Sequence, residues 1–161
     1  VKDAPTTRIF DLLDEMLTEF ESECDRRGAD KLFRIHWDGD FFSPTYAVAW
    51  RDAMLMHPEI HFWVYTRVPS AAIELCNVAN LSLYFSTDSD NVSMALDLNK
   101  SFGIRLAFLG KTFATAKELG GSIRSAVCPK QRKQIALNGA CVSCGICVKG
   151  NANIAFSISK K

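Results

Sequence analysis

Four of the six cysteines fall within twenty residues of one another: Cys128, Cys141, Cys144 and Cys147. The last three are spaced by two residues each, and Pro129 follows Cys128. Grouped thiolates are ligands for soft metals. Two-residue spacers let one tight loop present three sulfurs to neighbouring corners of an iron–sulfur cubane, while a fourth arrives from elsewhere in the chain. Zinc held by four cysteines normally shows two separated Cys-x2-Cys pairs, and Cys128 has no partner two or three residues away. A disulfide scaffold suits small secreted chains with too little core, whereas this one has 161 residues, 48% of them hydrophobic. The pattern points to a single [4Fe–4S] cluster on Cys128, Cys141, Cys144 and Cys147. Cys128 depends most on the fold, and a fourth thiolate leaves no coordination position open to substrate.

Charge agrees with this reading. The net charge is +1, but residues 1–110 hold ten Lys/Arg against seventeen Asp/Glu, and residues 111–161 hold nine against Glu118 alone. A cluster with four thiolates is strongly anionic and costly to bury uncompensated. Lys130, Arg132, Lys133 and Lys149 flank the ligands and can supply that compensation. The plainer reading is a solvated basic face, and a nucleic-acid patch is the third. Gly139, Gly145 and Gly150 in and around the motif permit left-handed backbone near a cluster. Of the other cysteines, Cys76 lies among apolar neighbours and reads as a core thiol, and Cys24 sits in a polar helical stretch.

Further candidates are less specific. His36, Asp38 and Asp40 follow an apolar run, where a strand's C-terminal end would place them on the ligand-binding rim of an α/β sheet. Asp and Gly are also ordinary turn residues there. Thr66-Arg67 and Ser86-Thr87-Asp88 end later runs on the same rim, with Arg67 a candidate for an anion or for cluster charge. His57 and His61 read as a helix-end and a strand residue. Gly120-Gly121-Ser122 lacks a nucleotide fingerprint, and Trp37, Trp50 and Trp63 read as packing residues.

The elements that must position these groups alternate. Helical periodicity runs over residues 8–26, followed by a strand at 32–37 and a helix at 44–56 that opens on Ser43-Pro44. Strands at 60–66, 81–86 and 104–109 alternate with helices at 70–79, 91–99 and 113–119. Such β-α units imply right-handed crossovers and a parallel sheet covered on both faces. Four strands cannot close an eight-stranded barrel, so the expected fold is a single α/β domain over 1–161, an open parallel sheet or partial (β/α) barrel. Residues 120–152 read as a long ordered loop carrying the cluster-binding segment, and Ile154, Phe156 and Ile158 as a last short strand. No apolar run approaches the length of a membrane span, and no secretory leader is visible at the N-terminus.

Residues 34–42, Ser43, Tyr46, Ala49-Trp50 and the Phe62-x-x-Tyr65-Thr66 strand resemble the phage family called gene product 88. The C-terminal Cys-x2-Cys-x2-Cys segment, followed by Ala155-Phe156, adds to the likeness. The resemblance implies a small virus-encoded iron–sulfur protein whose core is related to the partial barrels of radical-SAM enzymes. Those enzymes carry Cys-x3-Cys-x2-Cys after the first strand, where residues 38–43 have no cysteine. Their activity therefore does not carry over. The expectation is a cytoplasmic protein of the infected bacterium, with a [4Fe–4S] cluster for electron transfer or another redox role and an unknown redox partner. Its rivals are an enzyme with its site on the strand rim around Asp38, Asp40 and Arg67, and a nucleic-acid-binding module with the cluster as a staple.

Overall fold

An apolar stripe of Ile9, Leu13 and Leu17 on an otherwise charged segment gives α1 (Thr6–Arg27), whose buried face packs on the core. The computed structural model describes residues 6–135 and 140–159. The chain then enters β1 (Leu32–Arg34) and α2 (Pro44–Met56). Ser43 caps α2, its hydroxyl accepting from the Tyr46 N–H at 3.2 Å, with Pro44 in the first turn. Next come β2 (His61–Thr66), α3 (Pro69–Leu75), β3 (Leu81–Thr87), α4 (Val92–Phe102), β4 (Arg105–Gly110) and α5 (Phe113–Leu119). Thr112 and Thr115 close α5 with a reciprocal capping box.

The first expected strand is shorter than its apolar run. It stops at Arg34 because His36 adopts a left-handed φ of 55°, which no extended strand continues through, although the Ile35 N–H still bonds the Trp63 carbonyl at 3.1 Å.

The segment expected as loop, 120–152, is more ordered than its sequence suggests. It contains β5 (Ser125–Val127), α6 (Ala140–Cys144) and α7 (Ile146–Lys149), and it leads into β6 (Asn153–Ser157). Residues 136–139, including Gly139, lie outside the described residues. The sheet is fully parallel with six strands in the order β1-β2-β3-β4-β6-β5. Strands one to four are laid down side by side, the order of a partial barrel, and the edges formed by β1 and β5 leave it open. β6 then inserts between β4 and β5. The whole cysteine segment is thus the crossover from the sheet edge back into its interior.

The two faces of the sheet differ. Phe62, Val64, Leu83, Phe85, Leu106, Phe108 and Ala155 point to one side, where they share a core with residues of α1 to α5. Burying aromatic and branched side chains here stabilises by about 1.5–3 kcal/mol each. Tyr84, Ala107 and Ile154 point the other way and pack with Tyr65, Phe156, Cys128, Ile146 and Cys147. The expectation of a sheet covered on both faces holds, with helices on one and the cysteine segment on the other. Trp50 and Trp63 are buried as expected, but Trp37 is 79% exposed. Cys24 is buried at 6% exposure, whereas Cys76 is half-buried against the core and bonded to the Ile73 carbonyl. Among the described residues no helix is long and apolar enough to cross a membrane.

Candidate metal centre

Cys128 follows β5 directly, and its N–H bonds the Ala155 carbonyl of β6 at 3.1 Å, so the sheet itself fixes where this residue leaves the strand. Cys141 and Cys144 lie on α6 and Cys147 on α7. Gly145 joins the two helices with φ 67°, a left-handed link that turns the third thiol back toward the first two. The four cysteines line one small cavity, of about 20 Å³, together with Pro129, Lys130, Ile135, Ile146 and Ile154. The fold therefore brings Cys128 to the triplet, the step the sequence left most dependent on tertiary structure.

The thiols surround this space without converging on a point. Among the described residues, no three Cys, His, Asp or Glu side chains are grouped to hold a metal ion. Zinc bonds its sulfurs at about 2.3 Å and would draw them to within about 3.8 Å of each other. A cubane spreads its four thiolates over separate corners and needs no such convergence on one ion. Burial pushes the Cys147 thiol up to about 11; the Tyr65 hydroxyl beside it acts in the opposite sense, and the nearby Cys128, Cys141 and Cys144 add to the rise. Burial also raises the Tyr65 and Tyr84 phenols, with Cys147 contributing to both. Both phenols stay protonated, and the Tyr65 hydroxyl can donate a hydrogen bond toward the Cys147 sulfur.

The segment is tied to the sheet through its carbonyls. Ser82 donates to the Val148 carbonyl at 2.6 Å, the His61 ring nitrogen reaches the same oxygen, and the Tyr84 hydroxyl approaches the Ile146 carbonyl at 3.4 Å. His61 is thus an anchor. In the sequence His61 reads only as a strand residue, and Ser82 and Tyr84 carry no motif. Their one signal was polarity at alternate positions of otherwise apolar strands.

Beyond Cys128, Cys141 and Cys147 the site opens into a larger cavity of about 710 Å³ over the C-terminal strand ends. Arg67 lines it and is paired with Asp88 at 2.6 Å. Lys130 and Lys133 line it as well, whereas Arg132 and Lys149 do not. Asp40 is committed elsewhere: its carboxylate accepts from the Thr66 hydroxyl and the Arg67 N–H, both at 2.6 Å, and from the Phe41 N–H at 2.8 Å. Asp38 caps the Gly39 N–H. His36 stacks with Tyr46, its Nε2 3.1 Å from the phenol oxygen, and burial lowers its pKa while Asp40 opposes that shift. The rim residues His36, Asp38 and Asp40 therefore shape the β1–α2 turn and are absent from the cavity wall.

The family model described as Gene product 88 matches residues 1–150. The Gene 88 protein of Mycobacterium phage L5 is 47% identical over 168 residues, covering 100% of this chain and 69% of the relative. The Gene 88 protein of Mycobacterium phage D29 is 43% identical over 169 residues, with the same coverage of each chain. No solved structure matches.

Proposed function

This chain belongs to the gene product 88 family of bacteriophage proteins, and we propose that it binds one [4Fe–4S] cluster through Cys128, Cys141, Cys144 and Cys147 and works as a redox protein in the host cytoplasm. The observation that carries the proposal is the meeting of all four thiols at one cavity between α6, α7 and the end of β5. When bound, such a cluster supplies one-electron transfer at a potential set by its surroundings. This chain's residues would do the rest. The four thiolates hold the irons, Tyr65 presents its hydroxyl to Cys147, and Ile135, Ile146 and Ile154 exclude water. Lys130 and Lys133 offset negative charge, and the exposed side of Cys141 offers a route for electrons to a redox partner protein.

Consecutive strands β1 to β4 also support kinship with radical-SAM partial barrels. A fourth thiol at the cavity argues for a closed, electron-carrying cluster over that chemistry. The basic C-terminal third keeps nucleic acid as the alternative reading, with Lys130 and Lys133 lining the cavity.

Anaerobic reconstitution tests the proposal. The protein should turn brown, absorb broadly near roughly 400 nm and hold about four irons and four sulfides per chain. Alanine at any of the four positions should lower iron content sharply, while Cys24→Ala and Cys76→Ala should not. Colourless protein carrying one zinc per chain sinks the reading.

A further inference from the structure

The larger cavity has a chemistry of its own. Arg34, Arg67, Lys130 and Lys133 line it, and no carboxylate does among the described residues. Its wall between the cations is aromatic and apolar: Trp63, Tyr65 and Phe156, with Ala107 and Leu109. The Phe156 ring stands edge-on to Tyr65 at 5.9 Å, and the Arg34 guanidinium lies over Tyr65 at 5.5 Å and over Trp37 at 4.7 Å. Among the described residues Arg34 is held by these ring faces, and its buried Nε has no hydrogen-bond partner there. A buried donor left unpaired costs on the order of 1–3 kcal/mol. Lys133 adds a second sign of a built rim, with a left-handed φ of 56° that a lysine adopts only at an energetic cost.

From these observations we propose that the cavity binds a small ligand joining a phosphate to a planar ring. The volume of about 710 Å³ lies in the range of small-molecule sites. Arg34, Lys130 and Lys133 face the phosphate, since Arg67 is already paired with Asp88. Several cations match a group carrying close to two negative charges better than a single carboxylate. The ring lies against Tyr65 and Phe156, and the Ser86 and Ser157 side chains stand within the same wall. The cavity shares Cys128, Cys141, Cys147, Lys130 and Lys133 with the candidate metal centre, so whatever the cysteines hold forms one side of its wall.

The probe is deoxyadenosine monophosphate, titrated calorimetrically into the full chain purified anaerobically, with iron counted on the same sample. One site per chain should saturate, with affinity at least about tenfold above that for deoxyadenosine and for inorganic phosphate. Arg34→Gln and the exposed Lys133→Gln should each weaken binding about fivefold or more, while Arg8→Gln on α1 leaves it unchanged. No saturation below about 1 mM overturns the proposal, as does inorganic phosphate binding as tightly as the nucleotide. Equal affinity in both cavity variants overturns it too. A single-stranded oligonucleotide binding far more tightly than the mononucleotide, with the same variant response, also overturns it in favour of a strand groove. Iron-free protein that still binds the probe would show that this site stands without a cluster, whereas the reconstitution above decides the cluster reading separately.

Discussion

The Ser82 hydroxyl donates to the Val148 carbonyl at 2.6 Å, joining the start of β3 to the helix that carries Cys147. This bond spans 66 residues of sequence and is buried. It sets the depth of α7 against the sheet, and so the position of Cys147 relative to Cys128.

Gly150 makes that depth attainable. A Cβ there would lie 2.5 Å from the Ser82 oxygen and 3.0 Å from its Cβ, and the backbone is left-handed at φ 61°. Gly150→Ala should therefore lift α7 off the sheet as well as cost about 1–2 kcal/mol in backbone conformation. The expected result is a lowered urea midpoint and reduced iron retention with the far-ultraviolet circular dichroism preserved.

Cys147 should show a steep pH dependence in iron-free protein. Its thiol stands at about 11 against an ordinary 9.0, because burial and then the neighbouring thiols disfavour the charge. The folded state thus holds its proton where the unfolded chain has lost it. That contribution is fully present below about pH 9 and is lost as pH rises toward 11, so stability should fall across this window. Mass-spectrometric alkylation at Cys147 should accelerate about tenfold per pH unit from 7 to 10.

Tyr65→Phe should move the midpoint potential of the iron-loaded protein to a more negative value. The change removes a hydroxyl beside Cys147 while keeping the ring, and donors to cluster sulfur favour the reduced, more anionic form. Protein-film voltammetry measures it; an unchanged potential would place the hydroxyl away from the cluster.

Asp40 should matter for stability more than for binding. Its carboxylate joins the Thr66 hydroxyl and the Arg67 and Phe41 amides, clasping the ends of β2 and the β1–α2 turn. Asp40→Ala is expected to cost about 2–3 kcal/mol in urea denaturation, since amides are left without a charged acceptor. Iron content should not change.

His57 ties α1 to the C-terminal end of α2. At 5% exposure its Nε2 lies 2.9 Å from Asp14 and its Nδ1 3.0 Å from Glu21. His57→Ala should cost about 2 kcal/mol, and a double-mutant cycle with Glu21→Gln should give a coupling of about 1 kcal/mol.

The sequence by itself determined the alternation of strands and helices, because hydrophobic periodicity is local and each unit carries its own caps, as at Ser43 and Thr112. It also determined the identity of the candidate ligands, since the two-residue spacing is chemistry written in adjacent positions. It did not disclose β5, whose Ser125-Ala126-Val127 has little strand preference of its own and exists through pairing with β6. Nor could it tell that His36 would end β1 early, or that Trp37 would stand exposed against Arg34. The meeting of Cys128 with the triplet was decided only in three dimensions. Residue 128 leaves the sheet edge, the chain crosses one face, and β6 returns between β4 and β5. That path depends on Ser82, His61 and Tyr84 reaching carbonyls more than sixty residues away, and contacts at such separation leave no periodic trace along the chain.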